Sequence, residues 1–377
     1  MESMLTQRPT RAEIDLAALS HNFDQVRRQV AGKAEILAVV KADAYGHGAV
    51  PVARTLEAAG AAAFAVALVE EGVALRRAGL RRPILIFGEV FPGQEAALFD
   101  FDLTPYLFQR DTARRLDQAA SRRGTVLPYH LKIDTGMGRI GVLPQDLSGL
   151  LAELKTLAGL RLDGVMSHLA LADDSEAAIN AEQQRCFRQV LDQVRQAGFA
   201  PRWVHLSNSA AIFSLDTPEC NLVRPGIVLY GGMPAPELAG RLVRRPVMNL
   251  RSRIAQLKAL PAGAGVSYGH HFVASRPSLI ATLPIGYADG YNRLLSNRGE
   301  ALVRGRRVRV AGRVCMDWTL FDVTDVPGVA VGDEVTLLGS ADGDCISGDE
   351  WAERIGTISY EVFCGIGKRV PRVYLEG

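Results

Sequence analysis

From residue 35 to residue 230, short unbroken apolar runs alternate with longer amphipathic or alanine-rich stretches. The runs occupy 35–41, 63–69, 83–88, 103–107, 129–134, 162–168, 203–207 and 221–230. A strand buried on both faces reads as a continuous apolar run, not as an alternation of apolar and polar residues. Eight such units, with helix-length segments between most of them and no break in composition, predict an α/β fold. The expected form is a closed (β/α)8 TIM-type barrel instead of an open doubly wound sheet. Ahead of the first run, Asp15 is placed to cap a helix whose apolar residues Leu16, Leu19, Phe23, Val26 and Val30 share one stripe. That helix is expected to pack against the barrel.

After Tyr230 the texture changes. Residues 231–245 contain Pro234, Pro236 and several charges, and read as a linker. Beyond them come short β-rich runs at 248–257, 278–282, 301–303, 307–310, 319–323 and 334–338, separated by glycine or proline turns. These predict a second, mostly β C-terminal domain. One helix interrupts it, with Ser347 and Glu350 spaced as a capping box before 351–355. The expected domains are 1–240, the barrel, and 241–377, the β-rich unit, with residues 1–13 able to pair with the second. Asp342 and Asp344 have the spacing that opens a calcium loop but lack its downstream ligands, so a surface loop is expected.

Composition narrows the class. Apolar residues make up 48% and charged residues 22%, as in a soluble globular protein. The net charge is +2, and the basic residues lie in scattered pairs such as Arg27-Arg28 and Arg122-Arg123 instead of forming one stripe, so no nucleic-acid partner is expected. Residues 1–10 are polar with no apolar signal core, and no run reaches membrane-spanning length. Five widely spaced cysteines, with no CxxC pair, fit free thiols better than disulfides or a metal site. A cytoplasmic protein without a membrane partner is expected.

Candidate chemistry starts at Lys41, the last residue of the first run and therefore at the face where barrel active sites are built. An amine bonds covalently to a carbonyl cofactor only when neutral, and the end of a buried strand favours that form by desolvation. A lysine that merely ends a strand at the surface has the same local signature, and Lys41 alone, within the string VVKADAYGHG (39–48), does not separate the two. Further along lie LKIDTGMGR (131–139), MSHLA (166–170), HLSNS (205–209), VRPGI (223–227), GVSYG (265–269), PIGYADG (284–290), RVCMD (313–317) and SYEV (359–362). The loops after the last two barrel strands are the usual phosphate site of such folds. Ser209 there offers a hydroxyl, and Gly226 and Ile227 offer backbone N–H groups. Ser207 and Asn208 also suit an ordinary helix cap.

Taken in this order, the motifs resemble the alanine racemases, a barrel-fold (fold type III) family of pyridoxal-phosphate enzymes, over nearly the whole chain. The resemblance implies pyridoxal 5′-phosphate held by Lys41, Tyr45, His168, Asn208, Ser209, Arg224, Gly226, Ile227 and Tyr360. It implies two opposed bases, Lys41 and Tyr268, that interconvert L- and D-alanine and supply D-alanine for peptidoglycan. Arg139, Met316, Asp317 and Tyr287 would meet the substrate, Lys132 matches a lysine many members carry carbamylated, and no metal is implied. Arg224 would face the pyridine nitrogen and His168 would link it to Tyr268. Arginine does not readily accept a proton, so that nitrogen would stay largely neutral and transamination would be suppressed. A homodimer is implied, with Tyr268, Met316 and Tyr287 reaching the partner's cofactor.

Racemases of serine or of broader range share this pattern. A non-catalytic pyridoxal-phosphate carrier would lack the second domain, and a decarboxylase of similar architecture gives no reason for Arg139 and Tyr268 together. Ser359 stands where the family often has asparagine, and Trp318 and His270-His271 flank their motifs less typically.

Overall fold

The computed structural model of the protein describes residues 8–240 and 242–376. The polar N-terminal segment therefore lies, through Gln7, outside the described residues, as do position 241, where the second domain was expected to begin, and Gly377. The chain opens with β1 (Arg11–Asp15) and the helix Leu16–Val30. Asp15 caps that helix by accepting the Ala18 N–H at 2.8 Å. Leu19, Phe23 and Val26 are buried along the expected stripe, with Leu16 and Val30 partly buried at its ends.

Eight parallel strands follow: β2 (Glu35–Val39), β3 (Ala63–Val66), β4 (Ile84–Ile86), β5 (Leu103–Leu107), β6 (Leu127–Lys132), β7 (Leu160–Met166), β8 (Trp203–His205) and β9 (Leu222–Val223). They are hydrogen-bonded in the order β8-β7-β6-β5-β4-β3-β2-β9. Two backbone bonds, Asn221 N–H to Val204 O and Arg224 N–H to Ser207 O, both 3.0 Å, bring β9 against β8 and nearly close the ring. β3, β4 and β5 are buried at every residue, which is why they read as unbroken apolar runs.

Several strands are shorter than the apolar runs. The first stops at Val39, because Lys41 already begins a turn. The run at 221–230 supplies only two strand residues. Pro225 has no N–H to offer a ladder, and a 3-10 helix, Ile227–Tyr230, replaces the rest. The run at 248–257 divides into β10 (Met248–Arg253) and β11 (Gln256–Leu260), which sit far apart in one sheet.

That sheet forms the mostly β C-terminal domain. Its further strands are β14 (Ser278–Leu283), β15 (Glu300–Val303), β16 (Arg306–Val310), β17 (Thr319–Asp322), β18 (Glu334–Ala341), β19 (Asp344–Ile346) and β20 (Arg372–Leu375), with a separate hairpin of β12 (Gly265–Val266) and β13 (Phe272–Val273). β1 joins this sheet and not the barrel, antiparallel to β10 and parallel to β20. Ser347 caps the helix Gly348–Ile355 by accepting the Glu350 N–H. A second helix, Ser359–Gly365, was not visible as a pattern. Asp342 and Asp344 lie at the β18–β19 turn, where Asp344 pairs with Arg307. Among the described residues no acid, histidine or cysteine cluster suits a metal. No described helix is long and apolar enough to cross a membrane.

Candidate active site

The chain is held firmly up to the residue before Lys41. Val39 donates to Pro225 O at 3.0 Å and Val40 to Ala65 O at 2.9 Å. It then enters a left-handed turn: Ala42, Asp43, Ala44 and Tyr45 have φ of 53°, 52°, 54° and 55°. Four consecutive non-glycine residues there cost about 1–2 kcal/mol each, so the surroundings must over-determine them. They do so with charge-assisted bonds, each worth about 1.5–3 kcal/mol. Glu71 accepts the Ala42 N–H (2.6 Å), Asp43 accepts the Ala49 N–H (2.7 Å), and Arg372 from β20 donates to Gly46 O (3.0 Å). Gly46 closes the turn at φ 80°, and an added Cβ would lie 2.5 Å from Phe363 O, so both conformation and space require glycine.

This turn aims Lys41 into a cavity of about 430 Å³ at the C-terminal ends of the barrel strands. Tyr45, Lys132, Arg139, His168, Asn208, Ser209, Arg224, Gly226, Ile227 and Tyr360 line the same cavity. With Val39 and Met166, thirteen residues of the barrel motifs and of SYEV thus converge on one space. Burial, reinforced by the Arg139 charge, lowers the Lys41 pKa and favours the neutral amine, against the opposing pull of Glu71.

Arg139 is delivered by a loop wound around one carboxylate. Asp134 accepts the N–H groups of Gly136 (3.0 Å), Met137 (2.8 Å), Gly138 (3.1 Å) and Arg139 (3.2 Å). Burial works against its charge, yet these donors hold its pKa below the ordinary value. Lys132 is 3% exposed and its Nζ donates to Ile133 O at 2.8 Å. Burial and then the Arg224 charge push its pKa down to about 7.

Arg224 is also only 3% exposed. Its Nη2 donates to Ser167 O and Leu206 O, both at 2.8 Å, and lies 3.3 Å from His168 Nδ1. Its Nη1 lies 3.2 Å from His205 Nδ1, whose Nε2 is 2.8 Å from His130 Nδ1. Burial, with Arg224 nearby, drives all three imidazoles far below their usual pKa, so they stay neutral beside the cation. Gly226 N–H donates to Ser209 Oγ at 2.8 Å, and a Cβ on Gly226 would sit 2.5 Å from the Tyr45 hydroxyl.

Comparison with known proteins fits this geometry. Residues 14–234 match the alanine racemase N-terminal domain and residues 247–374 the alanine racemase C-terminal domain. The alanine racemase of Geobacter sulfurreducens is 52% identical over 99% of this chain and 98% of its own. That of Geobacter sp. strain M21 is 50% identical over 98% of this chain and 100% of its own.

The chain belongs to the alanine racemase family.

Alanine racemases are isomerases. The crystal structure of the enzyme from a D-cycloserine-producing Streptomyces lavendulae superposes with a TM-score of 0.93 at 38% identity, covering 99% of this chain and 98% of that one. The barrel with a mostly β C-terminal domain is the architecture of the family.

Four residues named by the resemblance do not line the cavity of their own chain: Tyr268, Tyr287, Met316 and Asp317. They gather on the second domain. Ser267 Oγ donates to Arg313 O at 2.7 Å, Tyr287 N–H to Cys315 O at 3.0 Å and Ala288 N–H to Met316 O at 3.1 Å, which joins three separate motifs. Gly286 permits this approach, since a Cβ there would lie 2.3 Å from Cys315 O. Tyr268 is 71%, Met316 53% and Tyr287 41% exposed. Asp317 pairs with Arg369 at 2.7 Å. Sequence reasoning missed Glu71, Arg372, His130 and the cavity-lining Tyr106. The first three reach the site through contacts distant in sequence, Tyr106 lines it directly, and none leaves a local pattern.

Proposed function

We propose that the chain binds pyridoxal 5′-phosphate on Lys41 and interconverts L- and D-alanine as a homodimer. The observation that carries this reading is the cavity that unites a lysine of lowered pKa with a buried arginine lacking any carboxylate partner among the described residues. The space fits the cofactor's chemistry. Its volume is in the range of small-molecule sites, Lys41 suits the aldehyde, and Ser209, Tyr45, Tyr360 and the 226–227 backbone are neutral donors suited to a phosphate. Arg224 would stand at the pyridine nitrogen and His168 beside it. When bound, the cofactor supplies the electron sink that makes the substrate's α-proton acidic.

The protein's own groups do the rest. The guanidinium of Arg139 holds the substrate carboxylate. The Lys41 amine removes or returns the α-proton on one face. The hydroxyl of the partner's Tyr268 does so on the other, with the partner's Met316 backbone at the carboxylate and the partner's Tyr287, with Tyr360, narrowing the entrance. Two opposed groups are what inversion requires, because a proton must leave one face and arrive at the other. The exposed Tyr268 cluster supports the dimer, and a two-fold arrangement would build two shared sites. Position 240 stands as the proposed domain boundary. The five unpaired cysteines favour a reducing compartment, and we place the enzyme in the cytoplasm. The C-terminal domain disfavours a non-catalytic carrier.

Borohydride reduction followed by peptide mapping tests the first half: a pyridoxyl group is expected on Lys41, and its absence would overturn the reading. Deuterium exchange at the α-carbon across a panel of L- and D-amino acids tests the second. Alanine should exchange fastest from both isomers, and preference for another amino acid would reassign the substrate.

A further inference from the structure

Glu71 lies in the first turn of the helix Val69–Arg77, and its carboxylate serves two elements at once. One oxygen reaches back to the N–H groups of Ala67 (2.8 Å) and Leu68 (3.1 Å), satisfying donors at the start of its own helix. The other leaves the helix and accepts the N–H of Ala42 at 2.6 Å, one residue beyond Lys41. The N–H groups of Ala44 and Gly46 bond inside the left-handed turn, to Val40 O and Ala42 O at 2.9 Å. That of Ala42 precedes the turn's own ladder and takes its acceptor from outside. We propose that Glu71 is a positioning residue for Lys41, pinning the start of the left-handed turn to the neighbouring barrel unit and so aiming the amine into the cavity. This rests on Lys41 being the cofactor lysine.

Among the described residues no second side chain accepts the Ala42 N–H. The turn is bound at its far end by Asp43, Arg372 and His47, whose Nδ1 lies 3.0 Å from both Ala44 O and Tyr45 O. At its near end the side-chain anchor is Glu71. Its charge also acts on the amine. Burial and Arg139 favour neutral Lys41, whereas Glu71 and Cys364 on the helix Ser359–Gly365 oppose them; Lys132 and His168 face the same cavity. Glu71 thus fixes direction and moderates proton affinity together.

Two full-length variants separate these effects. Glu71→Gln removes the charge but keeps one acceptor oxygen, which can still meet the Ala42 N–H. Glu71→Asp keeps the charge but is one methylene short. In the cofactor-stripped chain, the pH profile of Lys41 labelling by an amine-reactive reagent is read by peptide mass. The midpoint should fall in Glu71→Gln, by about half a pH unit or more, and stay near wild type in Glu71→Asp. Amide hydrogen exchange over 42–46 should rise about tenfold or more in Glu71→Asp. Wild-type exchange in Glu71→Asp overturns the proposal, as does a wild-type labelling midpoint in Glu71→Gln. Should Glu71→Gln not fold, exchange in Glu71→Asp decides. Borohydride mapping of the wild-type chain, run alongside, tests the cofactor lysine separately. A missing pyridoxyl group there removes that reading and leaves the exchange result standing.

Discussion

Arg224 stands 3.3 Å from Nδ1 of His168, and because arginine only donates, that contact places the imidazole hydrogen on Nε2. The same logic applies at His205, 3.2 Å from the other terminal nitrogen, which must then donate from Nε2 to His130 Nδ1. One cation thereby orders three neutral imidazoles. It also leaves His168 with a donor to offer a tyrosine oxygen, which suits a phenol asked to act as a base.

Nitrogen NMR of labelled protein should therefore find His168 and His205 as neutral Nε2–H tautomers well below pH 6.5. A doubly protonated ring at pH 6 would contradict the arrangement.

Stability should fall in acid for the same reason. The folded pKa of His130 is depressed from 6.5 to about 3. Below pH 6.5 the unfolded chain takes a proton that the folded chain refuses, so stability is whole above 6.5 and declines as pH drops toward 3. Between pH 6.5 and 5 this one ring accounts for roughly 2 kcal/mol. Urea titrations at the two values should show the loss, and His130→Asn, which cannot titrate, should show a shallower slope.

Arg224→Glu should raise the ratio of transamination to racemisation. A carboxylate at that position would keep a pyridine nitrogen protonated and deepen the electron sink, whereas arginine does not readily accept the proton. Keto acid formed per racemisation event measures the ratio, and an unchanged value would count against this account of Arg224.

Lys132, with its pKa pushed down to about 7, is partly neutral at physiological pH and able to take up CO₂ as a carbamate. The product would be an anion near Arg139 in place of a like charge. Carbon NMR with labelled bicarbonate should show about one carbamate per chain, growing as pH rises through 7 and absent in Lys132→Arg. A bare amine in bicarbonate at pH 8 would refute it.

Lys41→Ala and Tyr268→Phe should each be inactive alone and regain activity when mixed. If each site takes Lys41 from one protomer and Tyr268 from its partner, a mixed dimer holds one intact site. Random pairing then restores about a quarter of the wild-type rate. No recovery on mixing, with subunit exchange verified, would mean that the sites are not shared.

Much of this fold was legible because burial leaves a linear trace. Strands such as 84–86 and 103–107 lie inside the barrel with every residue buried, so their apolar runs stand out in the chain. Asp15 and Ser347 were readable as caps because a cap bonds to an N–H only three residues on. The runs at 35–41 and 221–230 misled at their ends, where apolar residues serve a turn and a 3-10 helix instead of a strand. β1 is only five residues and draws both its partners from the far end of the chain, so no local signal assigned it to the second sheet.

The sequence by itself determined the eight-unit alternation, the change to β texture after Tyr230 and the identities of the groups that converge on the cavity. The first two are carried by residue type and short-range periodicity, the third by motifs that resemble those of the family, which left out Tyr106. Only the tertiary structure decided that Ala42–Tyr45 turn left-handed, that Glu71 reaches Ala42 across 29 positions and that Arg224 meets His205 and not a carboxylate. It also decided that Tyr268 stays out of its own chain's cavity. A hydrogen bond between residues remote in sequence costs nothing in local pattern and leaves nothing there to read; it exists only once the barrel and the second domain have set both partners in place.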